Sequence, residues 1–165
     1  MFLSRTIKVL AVLASFYSFT ANAGTQLHFK TTTIDTTQPA AVGAFQSSAA
    51  TDYQVVQFNH TITPEDRQSL ISEGVEIISY IPDDAYLVKM SPALQRSFTS
   101  RDGVQVVMPY APQLKISPNF GVIDHMNSQV IEKISIRTFS EEATQDVAKK
   151  IAGLGEIKYA KGQHV

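Results

Sequence analysis

The chain contains no cysteine and no tryptophan, and its charges nearly cancel, with 14 Lys plus Arg against 15 Asp plus Glu. Without cysteine there is no disulfide framework, no thiolate nucleophile and no C-x-x-C metal or redox motif, so the fold must hold by burial alone. The charge balance lacks the basic excess on one face that marks a nucleic-acid binder, which argues against nucleic acid as a partner. No apolar run reaches the ~20 residues a membrane-spanning helix requires.

The usual signs of catalysis are missing too. There is no G-x-S-x-G elbow to expose a serine nucleophile and no Gly-rich phosphate loop. His28, His60, His125 and His164 stand singly, without the H-E-x-x-H spacing that sets two imidazoles on one helix face. Asp124 and His125 are chain neighbours, which point apart and read as solvated residues of a linker rather than as a base and its orienter. Met90, Met108 and Met126 are too dispersed for a Met-rich groove. The expectation is a protein that is not an enzyme, with no catalytic residue, no metal and no cofactor.

What is present begins with "MFLSRTIKVLAVLASFYSFTANAG". Arg5 and Lys8 give a basic start, Val9 to Phe19 an apolar stretch, and Ala21-Asn22-Ala23 a small-x-small cleavage pattern. Residues 1–23 therefore read as a secretory signal peptide cut between Ala23 and Gly24, which implies a periplasmic or extracellular protein with no membrane attachment after cleavage. Residues 24–51, rich in Thr, Ala, Ser and Gln, show no sustained period and read as a flexible leader or linker in which only "QLHF" resembles a strand.

Periodicity starts at Asp52. "DYQVVQFNH" reads as a strand, and "ITPEDRQSLISEG" as a helix with Thr63 as N-cap, Pro64 in the first turn, Glu65 and Asp66 at the positive pole and Gly74 as terminator. "VEIISYIP" and "AYLVKM" are short strands joined at Asp83-Asp84, whose side chains suit a tight turn by bonding local amides. "SPALQRSFTSRDG" repeats the helix punctuation with Ser91 and Pro92, and "VQVVMPYAP" is a last strand stopped by prolines. The order β-α-β-β-α-β over residues 52–116 predicts an α+β fold, a ferredoxin-like antiparallel sheet with two helices on one face. Residues 117–127 read as a linker. Residues 128–165, with "SQVIEKISIRTF", a helix opened by Ser140 and closed by Gly155, and "EIKYAKGQHV", read as an incomplete second βαβ unit.

Taken as a set, "YQVVQFNHTITPEDRQSLISEGVEIISYIPDDAYLVKM" and "GVQVVMPYAPQLKISP" resemble the amino-terminal prodomain region of secreted bacterial subtilisin-like serine proteases. The most specific element is the corner Tyr80-Ile81-Pro82-Asp83-Asp84-Ala85-Tyr86, and "PYAPQLKISP" is second. The catalytic domain of that family does not follow. The resemblance implies a ferredoxin-like unit that binds a subtilisin-like protease, inhibiting it or assisting its folding, with those seven corner residues as the partner-binding set and Asp83 and Asp84 capping helix amino ends of the enzyme. Two other readings stand beside it: a truncated relic of a protease precursor without activity, and an extracytoplasmic interaction module that pairs through an exposed sheet edge.

Overall fold

Three hydroxyl residues open helices in this chain, and each does so by the same local bond. Thr63 Oγ1 accepts from Asp66 N at 3.2 Å, Ser91 Oγ from Leu94 N at 3.3 Å, and Ser140 Oγ from Ala143 N at 3.3 Å. The side chain thereby satisfies one amide of a first turn that has no helical partner. At Thr63 the cap is reciprocal, because the Asp66 carboxylate accepts from the Thr63 amide at 2.9 Å.

A computed structural model describes residues 24–46, 51–118 and 134–165. In chain order the elements are β1 Gln26–His28, β2 Thr33–Asp35, α1 Pro39–Gln46, β3 Tyr53–Phe58, α2 Pro64–Ser72, β4 Glu76–Ile81, β5 Ala85–Lys89, α3 Pro92–Thr99, β6 Val104–Pro109, a 3-10 turn Pro112–Lys115 and α4 Glu141–Ile151. The fold is α+β. Strands β3 to β6 form one antiparallel sheet in the order β4-β5-β3-β6. The first and third strands of the unit lie in the middle and the second and fourth at the edges, which is the ferredoxin-like order expected from the sequence. The predicted signal peptide, Ala23, most of the 117–127 linker and residues 128–133 of the expected second unit lie outside the described residues.

Side chains of a strand alternate between faces, so each central strand sorts its residues into two cores. On one face Val56, Phe58, Val88, Met90 and Val107 pack with Leu70 of α2, Val75 and Phe98 of α3. On the other, Val55, Leu87 and Met108 pack with Leu27, Ile34, Val42, Ala111 and Leu114. The register aligns these sets, Val55 standing opposite Leu87 on one side and Met108 on the other.

The second core corrects the reading of residues 24–51 as a flexible leader. β1 and β2 form a hairpin with Leu27 opposite Ile34, and α1 follows, so the leader covers the sheet face that the two helices leave open. Its strands have three residues each, too short to show a period, and its buried residues are few and widely spaced. Polar bonds fasten it as well: Gln105 Nε2 donates to Thr36 Oγ1 at 3.1 Å, and Gln46 Nε2 reaches the Val107 carbonyl at 3.5 Å.

The carboxyl-terminal segment also departs from expectation. α4 forms, but among the described residues no strand flanks it, and the βαβ half-repeat is replaced by an antiparallel closure. Ile136 and Val165 exchange amide bonds at 2.8 and 2.9 Å, and Arg137 bridges His164. A βαβ unit would run its two strands in the same direction. Here Gly162, at φ 62, reverses the chain between Lys161 and His164 and turns the last residues back. Phe139 docks the segment on the leader side of the sheet, its ring 4.4 Å from that of Tyr53 and 6.1 Å from that of Tyr110.

Glu73 and Arg101, each just past a helix end, tie α2 to α3. Arg101 Nη1 donates to Glu73 Oε1 at 2.8 Å, Nη2 donates to Oε2, and the guanidinium lies over the Phe98 ring. The Arg101 bonds hold the Glu73 carboxyl below its ordinary pKa, against a smaller opposing effect of burial. A group held low in the folded state contributes stability above its unfolded value and loses it as pH falls through the folded one. Acid unfolding should therefore steepen below about pH 4.3, the ordinary glutamate value, and Glu73→Gln should flatten that part of a stability-against-pH curve measured by circular dichroism. Leu27→Ala should cost about 2–5 kcal/mol in urea unfolding, the range for a buried leucine. A loss under about 0.5 kcal/mol, the ordinary surface range, would mean that the leader is not part of the cooperative core.

Candidate functional site

The corner between β4 and β5 is built on two consecutive left-handed residues, Asp83 at φ 66 and Asp84 at φ 57. Successive positive φ values are what a type I′ turn requires, and aspartate tolerates that region better than most residues with a side chain. Both backbone carbonyls are used: Asp84 O accepts from Phe58 N at 2.9 Å, and Asp83 O accepts from Gln57 Nε2 at 2.8 Å. The carboxylates are engaged as well. Asp84 Oδ1 accepts from Ile62 N at 3.1 Å, bracing the segment that leads into α2, and Asp83 Oδ2 lies 3.2 Å from His28 Nε2 of β1.

The seven corner residues consequently divide. Ile81 and Ala85 face each other in register and are buried in the leader-side core, which sets them apart from the rest of the partner-binding set expected from the sequence. Their alternation with outward neighbours is the reason. Tyr80 is 57% exposed, Pro82 is exposed, and Tyr86 is half-buried with its ring edge-on to Tyr80 at 5.9 Å. Asp83 and Asp84 are partly exposed, and their first role is to hold the turn and its neighbours.

Beside the corner runs an edge. β4 pairs with β5 on one side, and no described strand pairs with its other side. Glu76, Ser79 and Tyr80 are exposed along it and Ile77 and Ile78 are half-buried. A register shift between Ile77 and Ser79 marks a bulge, a feature that sharpens the twist of an edge.

Behind the corner stands a residue the sequence reasoning passed over. Gln57 is fully buried on the central strand, on the face of Val55, and its Nε2 reaches the Gly24 carbonyl at 3.0 Å as well as Asp83 O. One amide thus joins the start of the leader, the central strand and the turn. The available signal was a polar residue within "YQVVQF", at a position where alternation demands an inward side chain.

Among the described residues no group of three or more His, Asp or Glu side chains could hold a metal ion, and no helix is long and apolar enough to cross a membrane. A shallow depression lined by Asp52, Glu76, Lys89 and Ser91 lies at the far end of β4 and β5 from the corner. Its facing charges, Glu76 and Lys89, are 4.0 Å apart on an exposed surface.

Residues 28–111, about half of the chain, match the family described as a domain of unknown function, DUF8729. The chain belongs to the DUF8729 family. The matched region begins at His28, the last residue of β1, and ends at Ala111, just past β6, so it takes in β2, α1 and the four-stranded sheet together. No curated protein and no solved structure matches the chain.

Asp84→Ala should destabilise the DUF8729 domain by about 1–3 kcal/mol, combining an unfavourable left-handed alanine with an unpaired Ile62 amide. Asp84→Asn, which keeps an acceptor and the turn, should recover most of that loss in the same denaturation measurement. Equal losses for the two would assign the effect to the charge alone.

Proposed function

We propose that this chain is an exported, non-catalytic binding protein whose partner is a subtilisin-like serine protease, bound as inhibitor or folding assistant. The resemblance of residues 53–90 and 103–118 to prodomains of that family supports the partner class, and the ferredoxin-like strand order agrees with it. The observation that carries the mode of binding is the open β4 edge beside the Tyr80 corner. Both faces of the sheet are filled by the chain itself, so a partner meets the edge and the corner rather than a face. An extended peptide segment added along Ile77 to Tyr80 would pair its backbone with the edge and set side chains against Tyr80 and Tyr86.

A second reading rests on the same edge. A strand from an unrelated extracytoplasmic partner is recognised by the same backbone groups, and the chain is then an interaction module without effect on proteolysis. The relic reading fits less well with two closed cores and three capped helices.

Titrating the purified chain into subtilisin-like proteases assayed with a small chromogenic peptide separates these readings. Stoichiometric loss of activity with the chain intact on a gel is the expected outcome, and Tyr80→Ala should weaken it by about 1–2 kcal/mol, the scale of an aromatic anchor. Full activity with the chain intact would move the function to strand capture from another partner. Full activity with rapid digestion of the chain would favour the relic.

A further inference from the structure

We infer that Asp83 and Gln57 form a receptor for the chain's own α-ammonium group at Gly24, created when the export signal is removed. The inference rests on the reading that the Ala21-Asn22-Ala23 pattern directs cleavage before Gly24.

Gly24 is pressed against the corner. A Cβ at this position would stand 2.3 Å from Asp83 Cβ and 2.9 Å from Asp83 Oδ1, so a side chain there would collide with the turn. Standard bond lengths then put the Gly24 nitrogen within about 6 Å of that carboxylate oxygen at the most. The position is held on both sides. The Gly24 carbonyl accepts from Gln57 Nε2 at 3.0 Å, and the Thr25 carbonyl accepts from Thr36 N at 2.8 Å and Thr36 Oγ1 at 2.9 Å.

Two acceptors belong to the side chains that touch Gly24. The Asp83 carboxylate has His28 Nε2 at 3.2 Å as its neighbouring cation-forming group, on a side chain that is half exposed. Gln57 Oε1 is buried, and no described group donates to it, while the same side chain's Nε2 is engaged with carbonyls including Gly24 O and Asp83 O. A buried acceptor without a donor costs free energy until one is supplied. An interior peptide nitrogen offers one N–H and no charge, whereas a chain end offers three donors and a positive charge.

Hydrolysis of the Ala23–Gly24 bond consumes one water. The carboxylate leaves with residues 1–23, and the amine stays on Gly24 and takes up a proton. Cleavage thus places a cation within a few ångströms of the Asp83 carboxylate, on a residue whose carbonyl is already held by Gln57 Nε2, fastening β1 and β2 more firmly in the processed chain than in its precursor. The charged and titratable groups around it are Asp83 of the corner, His28 of β1, and Asp84, whose carboxylate is turned toward the Ile62 amide. From β3 the facing group is the neutral Gln57.

The test exports the full chain, reads the amino terminus of the product by mass spectrometry, and titrates the Gly24 amine by NMR in glycine-labelled protein. A start at Gly24 is expected, with an amine pKa roughly half to one pH unit above the 7.7–8.0 of a free chain end. Asp83→Asn, which retains the left-handed turn, should bring it back toward that range. A product that starts elsewhere overturns the cleavage reading and the receptor with it. A start at Gly24 with an ordinary pKa, unmoved by Asp83→Asn, overturns the receptor and leaves the cleavage reading standing.

Discussion

A four-stranded sheet whose central strands are apolar on both faces has to be covered twice, and the arrangement of this chain follows from that requirement. Val55 beside Val56, Leu87 beside Val88 and Val107 beside Met108 send one member of each pair to either side. Helices α2 and α3 can cover only one face, because the right-handed crossovers that carry them put both on the same side. The other face is closed by whatever else the chain offers, and here it is the leader before the unit and the turn after it. Leaving Leu27, Ile34 and Val42 out of that face would expose Val55, Leu87 and Met108 to water. Each such residue contributes about 1.5–3 kcal/mol when buried.

That constraint also decides which parts of the sheet are left open. A ferredoxin-like unit whose helices cover one face leaves the other bare unless something else closes it. This one has closed the face internally, and what remains are the two edge strands, β4 and β6, and a turn whose acidic residues already bond to His28 and the Ile62 amide. The corner that first suggested a contact surface is therefore chiefly a fastening. Its outward elements are Tyr80, Pro82 and the edge of β4.

Punctuation in the sequence was a better guide than composition. Thr63-Pro64, Ser91-Pro92 and Ser140-Glu141 marked three helix starts because capping is a contact between near neighbours, and Asp83-Asp84 marked the hairpin for the same reason. The strand order followed from the order of elements. What escaped was set by contacts distant in sequence. The leader has no local period, and only the twofold apolar character of the central strands, with their adjacent apolar pairs, implied a second cover. Gln57 was visible as an inward polar residue, but its partners Gly24 and Asp83 are separated from it along the chain and cannot be inferred from spacing. The antiparallel closure of Ile136 on Val165 was hidden for the same reason, since a strand-like composition does not state the direction of pairing.

The position of β3 in the sheet has a kinetic meaning. Val55 pairs with Leu87 on one side and with Met108 on the other, and the leader needs both neighbours in place before its face exists. Such non-local pairing makes loop closure the slow event, so β1, β2 and α1 have nothing to settle on until β6 has been synthesised. A polypeptide with this wiring locks only when nearly all of the sheet's strands are free to meet.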